Sequence, residues 1–469
     1  MLQTLRNAWK TPDIRRKLLV VLGILFLYRI GTVIPVPFVD ASTFNQQFGN
    51  TIFAYMDVLS GGSLSSATLF ALGVSPYITS SIILQLLGVA FPALGEKLKD
   101  KATNEKVSRY VTVVLAIITG FGYYMLLKNN GMISSQITAM DSKAINVLVG
   151  FVIVACYCAG ASIIMLLGEK INENGIGNGI SMILFANIIS GLPSTAIRLG
   201  YLAEYAIEGQ AVGGEKFWLI TLAIAFALLI IAISVALTVL VVYVTGSERR
   251  IPIMYAKRVV GRKMYGGQNT HLPIKMNMTG VMPIIFASSI ISLVPTILTL
   301  CGVEMKGSYA DCEGFWEKLQ IFLSSDKWFY PLCLFVLIIL FAYFYVNISF
   351  NPVEIANNLK KNGGTIPGIQ QGRSTAKFIS GVVNKVTLVG ALFLAVVAIL
   401  PIIASPLVIE PIVERLVSNA GSVNANVVAS FKQSFTFGGT SLLIVVGVVQ
   451  ETFRELEAQL TMRNYKGFL

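Results

Sequence analysis

The chain has 469 residues, of which 55% are hydrophobic and 13% charged, with a mean hydropathy of +0.72. Soluble domains carry about 25% charged residues, so half of the expected charge is missing and an ordinary soluble enzyme is excluded. Against 24 Asp and Glu stand 36 Lys and Arg, a surplus of +12 whose place has to be found.

A helix crossing lipid needs about 20 mostly apolar residues and satisfies its own backbone hydrogen bonds. Apolar stretches fall near 18–36, 75–91, 107–127, 145–167, 180–193, 217–245, 280–300, 329–349, 386–404 and 437–450. They predict an all-α polytopic membrane protein with ten transmembrane helices. Arg6, Lys10, Arg15, Arg16 and Lys17 precede the first stretch as in a signal peptide, but no small-residue cleavage site follows, so a retained helix is expected. Arg29 stands twelve residues beyond Lys17, about 18 Å along that helix, and is expected to snorkel towards the outer interface.

Lys and Arg loops stay on the cytoplasmic side. With the N-terminus inside, 26 of the 36 basic residues and 11 of the 24 acidic ones face the cytoplasm, and 9 basic and 13 acidic residues face outward. Both termini are therefore expected inside. Two long loops hold 12 of these 26 inner basic residues. One, about 246–275, carries Arg249, Arg250, Lys257, Arg258, Arg262, Lys263 and Lys275; the other, about 351–385, carries Lys360, Lys361, Arg373, Lys377 and Lys385. Such loops contact anionic lipid or dock an acidic or RNA-rich partner.

The second stretch reads Gly73-Val74-Ser75-Pro76-Tyr77-Ile78 and the seventh Gly280-Val281-Met282-Pro283-Ile284-Ile285. Ser80-Ser81-Ile82-Ile83 and Ser288-Ser289-Ile290-Ile291 follow almost in register. The fifth and tenth stretches match more weakly, from Gly179-Ile180-Ser181 and Gly439-Thr440-Ser441, and both look only 14 residues long. Helices 1–5 thus resemble helices 6–10. Five being odd, the second half enters from the opposite side, an inverted repeat with a pathway between its halves. The expected division is 1–194, a hinge loop at 195–216, and 217–469. Ahead of the second stretch, Ser60 to Leu72 is too polar for lipid and too apolar for a free loop, which predicts a re-entrant element between the halves.

Enzymatic parts are missing. The single histidine, His271, lies in a basic loop, so there is no His-based metal site and no evident base for a nucleophile. Gly175-Ile176-Gly177-Asn178-Gly179 follows no strand and reads as a flexible helix start rather than a phosphate cradle. No catalytic residue, metal site or cofactor is expected. The alternative, a secondary transporter built on inverted repeats, is disfavoured because none of the ten cores holds a carboxylate for a coupling ion. Cys156, Cys158 and Cys333 lie in apolar stretches, while Cys301 and Cys312 share an outer loop, where a disulfide and free thiols both stay open.

The chain resembles the SecY family, channel subunits of the bacterial protein translocase. The resemblance runs through Arg29-Ile30-Gly31, Ile34-Pro35-Val36-Pro37, Ser60-Gly61-Gly62, Ala71-Leu72-Gly73, Gly175 to Ser181, Tyr255-Ala256-Lys257-Arg258, Thr270-His271-Leu272-Pro273, Asn351-Pro352 and Phe437 to Ser441. It implies a clamshell around an hourglass pore, in the bacterial inner membrane, that passes unfolded secretory polypeptides across and releases transmembrane segments sideways. The implied constriction ring is Val74, Ile78, Ile180, Leu184, Ile285 and Ile444. The implied plug includes Ser60, Gly61, Gly62, Ser63, Leu64 and Phe70, and the lateral gate Thr79, Ser80, Ser81, Gln85, Ser288, Ser289 and Leu293. Partners implied in the same way are SecE and SecG type subunits, the SecA ATPase, the ribosome, and signal peptides and nascent polypeptides.

Two departures stand out. Where the family pattern has Pro-Gly-Ile-Arg, this chain has Pro367-Gly368-Ile369-Gln370, with Arg373 expected to take over part of the arginine's docking role. Phe38 replaces the usual glycine after Pro37, and the stretch at about 405–436 is longer than in familiar members.

Overall fold

Every apolar stretch became a helix, and most helices run on past it. The computed structural model describes residues 2–40, 57, 60–98, 100–129, 131–133, 143–208, 214–255, 258–260, 263–265, 269–300, 314–323, 328–409, 411–412 and 438–466. In chain order come α1 (Leu2–Lys10), α2 (Pro12–Gly31), α3 (Ser75–Ala90), α4 (Pro92–Leu98), α5 (Lys101–Asn129), α6 (Lys143–Asn174), α7 (Gly179–Glu208) and α8 (Gly214–Gly246). Strands β1 (Glu248–Tyr255), β2 (Arg258–Val260), β3 (Lys263–Tyr265) and β4 (Asn269–Lys275) follow, then α9 (Met282–Leu300), α10 (Phe315–Phe322), α11 (Phe329–Ser349) and α12 (Pro352–Lys361). Strand β5 (Gly364–Thr365), α13 (Arg373–Ala404), a π-helical turn (Ser405–Ile409) and α14 (Gly438–Lys466) complete the described elements.

The ten stretches correspond to α2, α3, α5, α6, α7, α8, α9, α11, α13 and α14. Helices within α5, α6, α8, α11 and α13 are long and apolar enough to cross a membrane; α3, α9 and the first part of α7 are apolar but shorter. Phe26, Phe151 and Tyr243 are 68%, 74% and 78% exposed on the outside of the bundle, an apolar surface suited to lipid rather than water.

Some boundaries depart from expectation. Helix α2 stops at Gly31 rather than near 36, where the Thr32 hydroxyl donates to the Arg29 carbonyl (2.7 Å) and Pro35 cannot continue a helix. Residues 195–208, expected as a hinge loop, continue α7 past Pro193, because Ala, Leu, Arg and Glu there favour helix once one bond is lost. By the same preference α14 runs on to Lys466 through a charged stretch, so neither helix is short. Cys301 and Cys312 lie outside the described residues, as does most of 405–436; Cys156, Cys158 and Cys333 are free thiols.

Within each half neighbouring helices pack in sequence, α3 on α5 on α6 and α9 on α11 on α13. The halves meet along two seams, α9 against α3 and α5, and α7 against α14. The paired motifs adopt one backbone design. Gly73 and Gly280 both take left-handed φ, 56° and 62°. Val74 O then accepts the amides of Tyr77 and Ile78 (3.1 and 3.0 Å), and Val281 O those of Ile284 and Ile285 (3.1 and 3.2 Å). Each turn starts a helix with proline at its second position, where its missing N–H costs nothing.

At the basic end, β1 lies between β4 and β5 in an antiparallel sheet. Strand β5 comes from the second basic loop, so the two loops form one unit. Ile251, Ile253 and Ile274 pack there against Val346, Leu359, Ile366, Ile379 and Val383.

Phe38 has φ 72°, a conformation that costs a side-chain-bearing residue roughly 1–2 kcal/mol. Replacing it with glycine is expected to stabilise the fold by about 1 kcal/mol. A Phe38→Gly variant with a lower thermal unfolding midpoint in detergent would show that the ring's contacts outweigh the backbone relief.

Candidate functional site

The six aliphatic residues assigned to the ring come from the four helices of the two seams. Val74 caps α3 and Ile78 lies one turn in; Ile180 and Leu184 lie on α7, Ile285 on α9 and Ile444 on α14. Val74, Ile78, Leu184, Ile285 and Ile444 are each at most 5% exposed and share one apolar cluster, with half-buried Ile180 packed against it. The six residues thus belong to one apolar cluster to which both halves contribute. Fully apolar walls of this kind exclude ions by dewetting.

Beside this cluster lies a mostly apolar cavity of about 120 Å³ bounded by Leu64, Val74, Thr79, Thr119, Leu184 and Leu293. It opens between the Ser60–Leu72 segment, α3, α5 and α9. The hydrogen bonds that Ser80, Gln85, Ser288 and Ser289 of the assigned lateral gate donate do not run between α3 and α9. Ser80 Oγ donates to the Ser108 carbonyl of α5 (3.1 Å), and Gln85 Nε2 to Ser81 Oγ within α3 (3.2 Å). Ser288 and Ser289 both donate to the Ile285 carbonyl of their own helix (3.0 and 2.7 Å). Helical side chains point back along their own turn, so this seam closes by apolar contact.

Residues 60–74 form a string of turns folded into the first half, not a helix. Val36 N–H donates to Ala67 O (3.1 Å), Leu69 N–H to Ile34 O (2.9 Å), and Tyr123 Oη to Leu64 O (2.6 Å). The Asp57 carboxylate accepts the Ser65 amide (2.8 Å), and the Ser60 hydroxyl accepts that of Leu64 (3.2 Å). Ser60, Ser63, Leu64 and Phe70 are buried, while Gly61 and Gly62 take φ of 70° and 84°. The Leu69 carbonyl approaches Gly160 of α6 so closely that an added methyl group would clash with it.

Arg29 does not reach outward. Its Nη1 is buried without a hydrogen-bond partner, next to Gly61 and Asn187.

Sequence reading missed two ties. Arg109 makes a bidentate ion pair with the buried Glu169, Nε to Oε1 at 3.0 Å and Nη2 to Oε2 at 2.8 Å, joining α5 to α6. The Gly177 amide donates to Glu455 Oε2 of α14 (2.7 Å), so the glycine-rich turn holds a carboxylate of the other half. The glycine at 177, which takes φ 87°, was the only local signal and does not name its partner. Near the same end, α1 packs on α14, where Ala8 and Leu456 are buried with Ile14 and Ile176.

On the basic platform Arg249, Arg250, Lys360, Lys361, Arg373 and Lys377 are exposed, with Arg250 Nε 2.7 Å from Glu248 Oε1. Lys257 and Arg262 lie outside the described residues; Arg258 and Lys263 are placed by backbone alone, on β2 and β3. The Lys275 amine is held below its ordinary value by partial desolvation first and by neighbouring Arg454 second.

Solved protein-conducting channels share this arrangement of helices. One covers 95% of this chain and 92% of its own at a TM-score of 0.58 and 16% identity; Sec61 in a canine ribosome–channel complex gives 0.56 over the same shares. A sequence model of SecY matches residues 68–453. Full-length relatives named protein translocase subunit SecY are 40% identical in Streptomyces scabiei, over 100% of both chains, and 36% identical in Corynebacterium glutamicum, over 99% of both. The chain belongs to the SecY family, as a multi-pass membrane protein and protein-conducting channel subunit of the translocase.

Gly160→Ala is expected to lower stability by about 1–3 kcal/mol, the usual cost of overpacking, and to speed thiol labelling of a cysteine placed at Leu64. Unchanged labelling would mean that the Ser60–Leu72 segment does not depend on this close approach.

Proposed function

We propose that this chain is the central subunit of a channel that moves unfolded secretory polypeptides across the bacterial inner membrane and releases transmembrane segments sideways into lipid. One observation carries the reading: six aliphatic side chains from both halves converge on one apolar cluster at the seams. Such a ring yields around any side chain, since it makes no directional bond. The Ser60–Leu72 segment is the plug, and the α3/α9 seam is the lateral gate for signal peptides and nascent chains. The apolar closure of that seam supports a gate that parts without breaking hydrogen bonds.

The basic platform is read as the cytoplasmic face, with both termini inside, and as the docking surface for the SecA ATPase or a translating ribosome. SecE and SecG type subunits and anionic lipids complete the assembly. A passive channel needs an external motor, so these contacts supply the driving force. Arg373, exposed at the first residue of α13, lies where the helix dipole opposes a cation, so local stability does not account for it. It stands three residues from Gln370 and takes over part of the docking role.

Photoreactive probes at Ile78, Ile285 and Ile444 are expected to label a stalled secretory polypeptide, while one at lipid-facing Phe151 is not. Labelling confined to Phe151 would sink the pore assignment. Arg373→Ala is expected to weaken SecA binding roughly fivefold, the upper range of ~1 kcal/mol for an exposed ion pair; unchanged affinity in a binding titration would remove Arg373 from the docking surface.

A further inference from the structure

The geometry at Arg29 points to a built-in bias towards opening, an inference that rests on the plug reading above. Helix α2 seats the plug at both ends within one turn. Tyr28, fully buried, stacks its ring on Phe70, 5.3 Å between centroids and 15° between planes, and Gly31 leaves the space that the Phe70 ring fills. At the other end the Gly61 turn lies against Arg29 and Asn187, where a methyl group on Gly61 would stand 3.2 Å from Arg29 Nη1 and 3.0 Å from Asn187 Oδ1.

The two contacts have opposite signs. Ring stacking between Tyr28 and Phe70 favours closure. Covering the guanidinium opposes it, because Nη1 is buried and makes no hydrogen bond, not even to the neighbouring Asn187 Oδ1; the side chain as a whole is half-buried, so the desolvation penalty of a charged donor falls on this one nitrogen. When the plug leaves, Gly61 uncovers Nη1 and water restores the missing bonds. We infer that Arg29 is a specificity-determining residue of transport: it destabilises the plugged state and so sets how weak a signal peptide can still open the channel.

The test uses the assembled channel complex in planar bilayers, reading the resting ion conductance, with transport of a client bearing a weakened signal peptide as the second readout. Arg29→Met and Arg29→Gln, both neutral and of similar length, are expected to lower resting conductance and transport of that client about tenfold, a closed-to-open shift of ~1.4 kcal/mol. Arg29→Lys keeps the charge and is expected to stay near the parent. Gly61→Ala, which adds a methyl at φ 70° against the same two side chains, is expected to raise conductance. If both neutral variants raise conductance like Gly61→Ala, or leave it unchanged, Arg29 is an anchor or a bystander and the proposal fails. A channel lacking residues 60–70 reports separately on the underlying reading: it is expected to leak, and in that background Arg29→Met is expected to have no effect. A deletion that does not leak overturns the plug assignment itself.

Discussion

Hydrocarbon offers no partner to a backbone amide or carbonyl, and an unpaired one costs several kcal/mol. That constraint organises this molecule. The apolar helices satisfy their backbones internally, and among the described residues the irregular stretch 60–74 is bound by Val36, Ile34, Tyr123 and Asp57. The irregular backbone is possible there because it is lined by protein on every side that the described residues define. The paired turns at Gly73 and Gly280 meet the same requirement, each valine carbonyl serving two amides of the helix that follows. Those turns also set the height of Ile78 and Ile285, so satisfying the backbone and aligning the apolar ring are one piece of geometry.

Much of this was legible in the sequence. The ten apolar stretches could be placed because lipid demands long unbroken runs, and the repeated Gly-Val-x-Pro pointed to the two matching helix starts. Helix ends were not legible where good helix formers continue into water, as from Ser194 to Glu208. The pairing of β5 with β1 joins residues more than 100 positions apart, and no local pattern announces it. The serines assigned to the gate lie on α3 and α9, but spacing alone does not say which way their hydroxyls turn. Rotamer preference turns Ser288 and Ser289 back onto Ile285.

Arg29 shows the limit most sharply. Spacing from Lys17 gives its height along α2 but not the direction of its side chain. The direction is fixed by neighbours distant in sequence, Gly61 and Asn187, and by a left-handed glycine turn that leaves room for them. The glycine-rich stretch at 175–179 is similar: it starts α7, and its Gly177 amide meets a carboxylate distant in sequence, that of Glu455.

The two seams are built from different forces. Where α7 meets α14, the contact ends in polar ties: Gly177 to Glu455, and nearby Lys17 to Gln459 and Thr4 to Glu457. Where α3 meets α9, none of the hydrogen bonds of Thr79, Ser80, Ser81, Gln85, Ser288 or Ser289 crosses. The molecule therefore has a bolted side and a greased side. Parting the greased side exchanges apolar contact within the protein for apolar contact with lipid, so it is governed by packing and is nearly indifferent to pH and moderate salt. Its ease of opening is then set by how closely the surrounding lipid packs against the parted helices.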